Sequence, residues 1–247
     1  EKFPLEIKNK EEKFCFHLRS KPLFFRLDPD YECPVKKVKL EVSRSLLYEQ
    51  LKRDKDPIGR IEAAQSLVAK ASQADIKVLS QRLKKETQWG VANRIAKALG
   101  KIGGEFARDE LLKAVNSREA KIRRGIVQAL GEFMGDEKVT RILKKIAGGD
   151  PSYRVEAEAL SSLGRIKAKN CRPFLEGFLD RPSHNDIGRS AIFKALASLE
   201  EEEAWATLLQ GANYGAPRSS RFSAIQGLAK LADRKSTRLN SSHALIS

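Results

Sequence analysis

The sequence predicts a mostly α-helical solenoid of stacked hairpins with a period of about 32 residues, preceded by a truncated β-sandwich remnant. Three observations predict it. A phrase built around Ala-Leu-Gly returns along the chain: "RIAKALGKIGGEF" at 94–106, "GIVQALGEFMGDE" at 125–137 and "AEALSSLGRIKAK" at 157–169. Its leucine falls at Leu67, Leu99, Leu130, Leu163, Leu196 and Leu228, in steps of 32, 31, 33, 33 and 32 residues, the signature of a solenoid. The first forty residues lack that rhythm and read as β-rich segments.

Residues 1–42 read as the end of a β-sandwich. "FPLEIKN", "KFCFHLR", "LFFRLDP" and "VKKVKLEV" are short, rich in strand formers and separated by turn residues. Phe14, Phe16 and Leu18 alternate with Cys15 and His17, the period of a half-buried strand. Four strands in so short a span cannot cover both faces of a sheet. The remaining strands, and the true N-terminus, are expected upstream of Glu1, since the only Met is Met134.

Residues 43–232 form the repeat domain. It opens on a charged helix, "SLLYEQLKRDKDPIGRIEAAQSL". The first helix of later copies carries Val91, Ile95, Leu99 and Ile102, then Ile122, Ile126, Leu130 and Phe133, then Val155, Ala159, Leu163 and Ile166. Steps of 4, 4 and 3 keep each set on one helical face. Small residues beside them, such as Ala98, Ala129, Ala195 and Gly227, let adjacent helices approach closely. A second helix follows each first, anchored by Leu79 and Leu83, Leu111 and Leu112, Leu143 and Ile146, Leu175 and Phe178, then Leu208 and Leu209. Turn signals separate the pairs at Gly103-Gly104, Gly148 to Pro151, Asp180 to Pro182 and Gly215 to Pro217. Asp150 before Pro151 reads as a helix cap with proline in the first turn. One hairpin cannot bury its apolar face alone, so stacking supplies the core.

Residues 233–247, "DRKSTRLNSSHALIS", break the pattern in mid-hairpin and resemble a translated sequencing adapter. A non-native tail, disordered or a weakly helical end without packing, is expected there, and its Asn240-Ser241-Ser242 acceptor pattern is set aside with it. No apolar run reaches the ~18 residues of a membrane span. Cys15, Cys33 and Cys171 are odd in number and show no CxxC spacing, the usage of free thiols in a reducing compartment. A cytoplasmic location is expected, and a Cys15–Cys33 disulfide stays open.

The repeat resembles the HEAT repeat over residues 56–232, which implies architecture and little about activity. The order of segments carries a second resemblance. The sheet remnant ends in Phe25-Arg26-Leu27-Asp28-Pro29, and a helix with the core Leu46-Leu47-Tyr48-Glu49-Gln50-Leu51 follows. Asp56, Gly59, Arg60, Ala63 and Ala64 then form a D-x-x-G-R-x-x-A-A pattern. This order resembles the C-terminal half of M1-family zinc aminopeptidases across residues 1–232. The resemblance implies a non-catalytic C-terminal fragment whose helical domain shapes and covers the peptide chamber of a parent hydrolase. It implies as partners the N-terminal catalytic domain of the same polypeptide and a peptide substrate, with zinc in that missing domain. The HExxH and GxMEN motifs are absent, and His17, His184 and His243 stand without ligand spacing.

Forty-seven Lys and Arg against 32 Asp and Glu give a net charge of +15. Interleaved acids and sparse aromatics favour a solvated basic surface over nucleic-acid contact. Arg60, Arg123, Arg189 and Arg221 each stand seven residues before an anchor leucine, with Ala92 and Glu156 at that place in the other repeats. Stacking sets them in a row. The row reads either as a structural device, each Arg bonding an acid or helix-end carbonyl of the adjacent repeat, or as a concave line facing a bound peptide. No GxSxG, P-loop or GxGxxG motif occurs, so this chain is not expected to hydrolyse anything by itself. Two functions stand: the helical domain of a peptidase, or a stand-alone HEAT-repeat scaffold binding protein partners or nucleic acid.

Overall fold

The computed structural model describes residues 2–6, 8–9, 11–30, 32 and 41–244, with side chains as far as Arg234. Its helices are α1 (Arg44–Arg53), α2 (Pro57–Ser66), α3 (Gln73–Lys85), α4 (Trp89–Ile102), α5 (Gly104–Ala114), α6 (Ala120–Leu130), α7 (Glu137–Gly149), α8 (Tyr153–Arg165), α9 (Arg172–Glu176), α10 (Ile187–Leu199), α11 (Ala204–Gly211) and α12 (Arg218–Ala244). Local chemistry sets many of their starts. Asp56 caps α2 by accepting the Ile58 N–H, with Pro57 in the first turn. Ser72 and Asp75 form a reciprocal capping box on α3, and Asp136 caps α7 through the Val139 N–H.

The even-numbered helices from α2 to α12 pack side by side in one layer, and α1, α3, α5 and α7 form a second layer against them. Leu67, Leu99, Leu130, Leu163 and Leu196 are wholly buried in one continuous core, each burial worth about 1.5–3 kcal/mol. Leu228, on the last helix of the stack, is only partly buried. The glycine after the anchor leucine marks where neighbouring helices cross. A Cβ on Gly100 would lie 2.9 Å from the Ala129 carbonyl oxygen, and one on Gly164 would lie 2.5 Å from that of Ala195. The recurring phrase is therefore a packing unit: alanine and glycine bring the backbones together while leucine fills the core between the layers.

The structure corrects several expectations. Among the described residues of 1–42 there is no strand. Phe14, Phe16 and Leu18 are all exposed, as are Cys15 and His17 between them, so the alternation separates no buried face from a wet one. A strand needs a neighbour to take its backbone hydrogen bonds, and among the described residues none pairs with this segment. The segment "VKKVKLEV" lies almost wholly outside the described residues. The charged opening helix breaks at Asp54–Asp56 into α1 and α2, because the residue before Pro57 is driven out of the helical region. Helix α8 starts at Tyr153 with Ser152 as its cap residue, two positions later than the Asp150-Pro151 signal. Gly103 and Gly104, both at positive φ, turn the chain inside one hairpin, from α4 to α5, and not between hairpins. Beside these corrections, helix α12 runs from Arg218 to Ala244, and Arg234 pairs with Glu200.

Candidate functional site

Each arginine of the predicted row begins on an even-numbered helix and reaches a carbonyl or carboxylate. Arg60 donates to Glu86 from Nε (3.0 Å) and Nη2 (3.3 Å), and from Nη1 to the Asp54 carbonyl oxygen (2.9 Å). Arg123 holds Asp150 and the Ser117 carbonyl oxygen in the same way. Arg189 donates to the Leu179 carbonyl oxygen and to Asp186, and Arg221 to the Ala212 carbonyl oxygen. Where the fourth repeat carries Glu156, the pair is kept with its charges exchanged: Arg181 lies 3.3 Å from Glu156.

The acids show this in their protonation. Burial alone would raise Glu86, but the Gln88 N–H and the guanidinium groups of Arg82 and Arg60 outweigh it and hold it below the usual carboxylate range. Asp150 is lowered in the same balance, burial against Arg123 and the Ser152 N–H. Glu156 lacks a strong hydrogen bond, and burial raises it despite Arg181. The second layer carries its own cross-repeat bonds, which the sequence reading missed: Tyr48 to Asp75 (2.7 Å), Ser80 to Glu110, Arg108 to Asp136 (2.8 Å) and Thr207 to Glu176 (2.7 Å).

What lies open is the rim where the even-numbered helices begin. Trp89 is exposed beneath the Lys121 ammonium, 5.1 Å from its ring centroid. Tyr153 is exposed beside the His184 ring and the Arg154 guanidinium. At the far end of the rim, the loops entering α10 and α12 enclose an open cleft of about 990 Å³. Its lining includes Asp180, Pro182, Asn185, Pro217, Arg218 and Phe222. The loop keeps Asn185 and Asp186 at φ 51° and 56°, two consecutive left-handed residues at about 1–2 kcal/mol each. One signal pointed to this rim: Trp89, Tyr153 and Arg218 each stand ten residues before an anchor leucine.

Among the described residues no group of His, Cys, Asp and Glu could hold a metal ion. No helix among them is long and apolar enough to cross a membrane. Cys15 is an exposed free thiol and Cys171 a buried one, while Cys33 lies outside the described residues.

Known proteins place this architecture. HEAT repeats match residues 44–131, 76–159, 108–192 and 140–229. The phycocyanobilin lyase subunit alpha of Picosynechococcus sp. is 29% identical over 147 residues, 55% of this chain and 54% of that protein. The chain thus spans about half the length of this curated relative. The solved complex of CpcE and CpcF of phycocyanin lyase from Nostoc sp. covers 80% of this chain and 90% of its own at a TM-score of 0.51 and 20% identity, a likeness of fold. These findings overturn the M1 aminopeptidase reading, and with it the metallopeptidase activity, the peptide chamber and the N-terminal catalytic domain as partner. The residues that carried that resemblance serve the solenoid instead. Asp56 caps α2 and meets Arg26 at 2.6 Å, Gly59 leaves room for the Asp54 carboxylate, Arg60 holds Glu86, and Ala63 and Ala64 are core. The matched stretches run from the first helix of the stack into the last, and the chain belongs to the HEAT-repeat family.

Proposed function

We propose that the chain is a HEAT-repeat scaffold that binds protein partners, acting as one subunit of a lyase that attaches a linear tetrapyrrole to an acceptor protein. The observation that carries this reading is the 147-residue likeness to a phycocyanobilin lyase subunit. The fold agrees with it, since a stack of hairpins offers a long rim and two broad faces to a folded partner. The arginine row is taken up by bonds within the stack, Arg60 and Arg123 across a repeat boundary and Arg189 and Arg221 to the segment before their own helices, so recognition falls to the outer rim and its aromatic and cationic side chains.

The test is reconstitution. The chain is co-expressed with phycocyanobilin, apo-phycocyanin and, in turn, CpcE or CpcF from Nostoc. Complexes are sized by light scattering, and covalent tetrapyrrole is read by fluorescence on a denaturing gel. A stable heteromeric complex with chain-dependent attachment is expected. Absence of both complex and attachment with either subunit overturns the lyase reading.

A further inference from the structure

We propose that the cleft between the loops entering α10 and α12 binds a linear tetrapyrrole, with Arg218 on a propionate carboxylate and Phe222 against the conjugated plane. The proposal rests on the lyase reading above and gives it a site. A linear tetrapyrrole is a conjugated, largely apolar chain of four rings. It carries ring N–H donors along one edge and propionate carboxylates along the other. A site for it needs an aromatic wall, a free cation, hydrogen-bond acceptors and room.

The cleft supplies each. Its volume of about 990 Å³ is at the upper end of the ~300–1,000 Å³ that holds compact organic ligands. Arg218 and Phe222 stand four residues apart on α12, so a guanidinium and a ring share one helical face. Phe222, on the last helix of the stack, is 61% exposed and so is open to a ligand. Arg218 forms no ion pair among the described residues. Its neighbours are not available in that way: Arg189 is held by the Leu179 carbonyl oxygen and Asp186, and Arg221 by the Ala212 carbonyl oxygen. Of these two only Arg189 lines the cleft, and Arg218 lines it with its side chain exposed. Across the cleft, the exposed side chains of Asp180 and Asn185 offer acceptors for ring N–H groups. Pro182 and Pro217 form two stiff apolar flanks. The two loops are tied together: Ser219 donates its hydroxyl to the Asn185 carbonyl oxygen at 2.8 Å. The Gly188 N–H donates to Ser183 Oγ at 2.8 Å, which fixes the loop at the start of α10. A pre-formed shape of this kind lowers the ordering cost of binding.

Free phycocyanobilin titrated into the full chain tests the site, read by the visible circular dichroism that the ligand gains when held in one twisted form. Saturable binding is expected. Arg218→Glu should weaken it about tenfold, the size of one charge-assisted hydrogen bond. Phe222→Ala should weaken it severalfold. Lys77→Glu, on exposed α3 surface remote in the stack, should leave it unchanged and so exclude a general charge effect. Both cleft side chains are exposed, so the far-ultraviolet spectrum and Tm of their variants should match the parent. Binding that is absent, or that survives both cleft substitutions, overturns the site. Covalent attachment that proceeds normally in both variants also overturns the site and leaves the lyase reading standing. Tetrapyrrole binding lost in both variants, with neither complex nor attachment from the parent chain, upholds the site and overturns the lyase reading.

Discussion

Arg123 crosses one repeat boundary to grip Asp150 through both carboxylate oxygens, Nε to Oδ2 and Nη2 to Oδ1, each at 2.8 Å. Its third nitrogen, Nη1, donates to the carbonyl oxygens of Ser117 and Arg118. One side chain thus ties the loop before its own helix to the loop before the next. Both partners are largely buried, with side-chain exposures of 14% and 8%. Removing either leaves an uncompensated charge. Arg123→Ala should therefore cost about 3 kcal/mol of stability, and Asp150→Ala a similar amount. The double variant should cost much less than the sum, because the two share one interaction. Arg123→Lys should recover only part of it, lacking the fork that meets both oxygens. Urea unfolding of the four proteins checks this, and additive losses would refute the coupling.

Two glycines predict opposite responses to the same change. A Cβ at Gly164 would press on the backbone of Ala195, which cannot move without shifting α10 against α8. Gly164→Ala should destabilise by about 1–3 kcal/mol through overpacking. Gly148 lies near the end of α7 with nothing within 4 Å of its added Cβ. Gly148→Ala should stabilise by about 0.5–1 kcal/mol, through helix propensity and a less flexible unfolded chain. Thermal melts of both variants suffice, and a destabilised Gly148→Ala would show that the open surface there is needed for something else.

The stack is legible in the sequence because its core obeys a fixed grammar. Leucine, a small neighbour and a 4-4-3 apolar spacing must recur wherever one hairpin meets the next, and Leu99, Leu130 and Leu163 record it directly. The polar bonds between repeats are less legible. Arg60 and Arg123 keep their column, but their partners lie 26 and 27 residues further on, are Glu in one case and Asp in the other, and swap charge altogether at Glu156 and Arg181. The strand expectation fails for a different reason. Alternation at Phe14, Phe16 and Leu18 is a local property, whereas a strand exists only with a partner ladder. The cleft escapes sequence reading because Asp180 precedes α10 while Phe222 stands on α12, and no motif links them.

Acid sensitivity should concentrate on Glu110. The Lys113 ammonium and the Ser80 hydroxyl hydrogen-bond to this carboxylate, and with the Lys84 charge they outweigh burial and hold its pKa down from 4.5 to about 2. A carboxylate depressed on folding contributes stability in full above its unfolded pKa. That contribution is lost as pH falls from about 4.5 towards about 2. Glu110→Gln keeps an acceptor for Ser80 but cannot titrate. Its Tm should be lower than the parent's at pH 7, and the gap should close by about 2–4 °C between pH 5 and pH 3. Parallel Tm curves across that range would show that the Glu110 pairing adds nothing.

Cys171 should report the opening of the stack. Its side chain is wholly buried at the start of α9, and burial pushes the thiol up to about 11. While it stays buried only about one such thiol in 10³ is thiolate at pH 8, so the same burial both hides the sulfur and suppresses its reactive form. Cys15, by contrast, is exposed. Under native conditions iodoacetamide should modify Cys15 within minutes and leave Cys171 untouched, as read by peptide mass spectrometry. Below the unfolding midpoint in urea, the Cys171 rate should rise with the fraction of opened repeats, because α9 is short and its hairpin depends on α10 for cover. If labelling at Cys171 rises well before the global transition, the last two hairpins open as a unit of their own. A native-state rate matching that of Cys15 would mean that α9 does not seal the core at all.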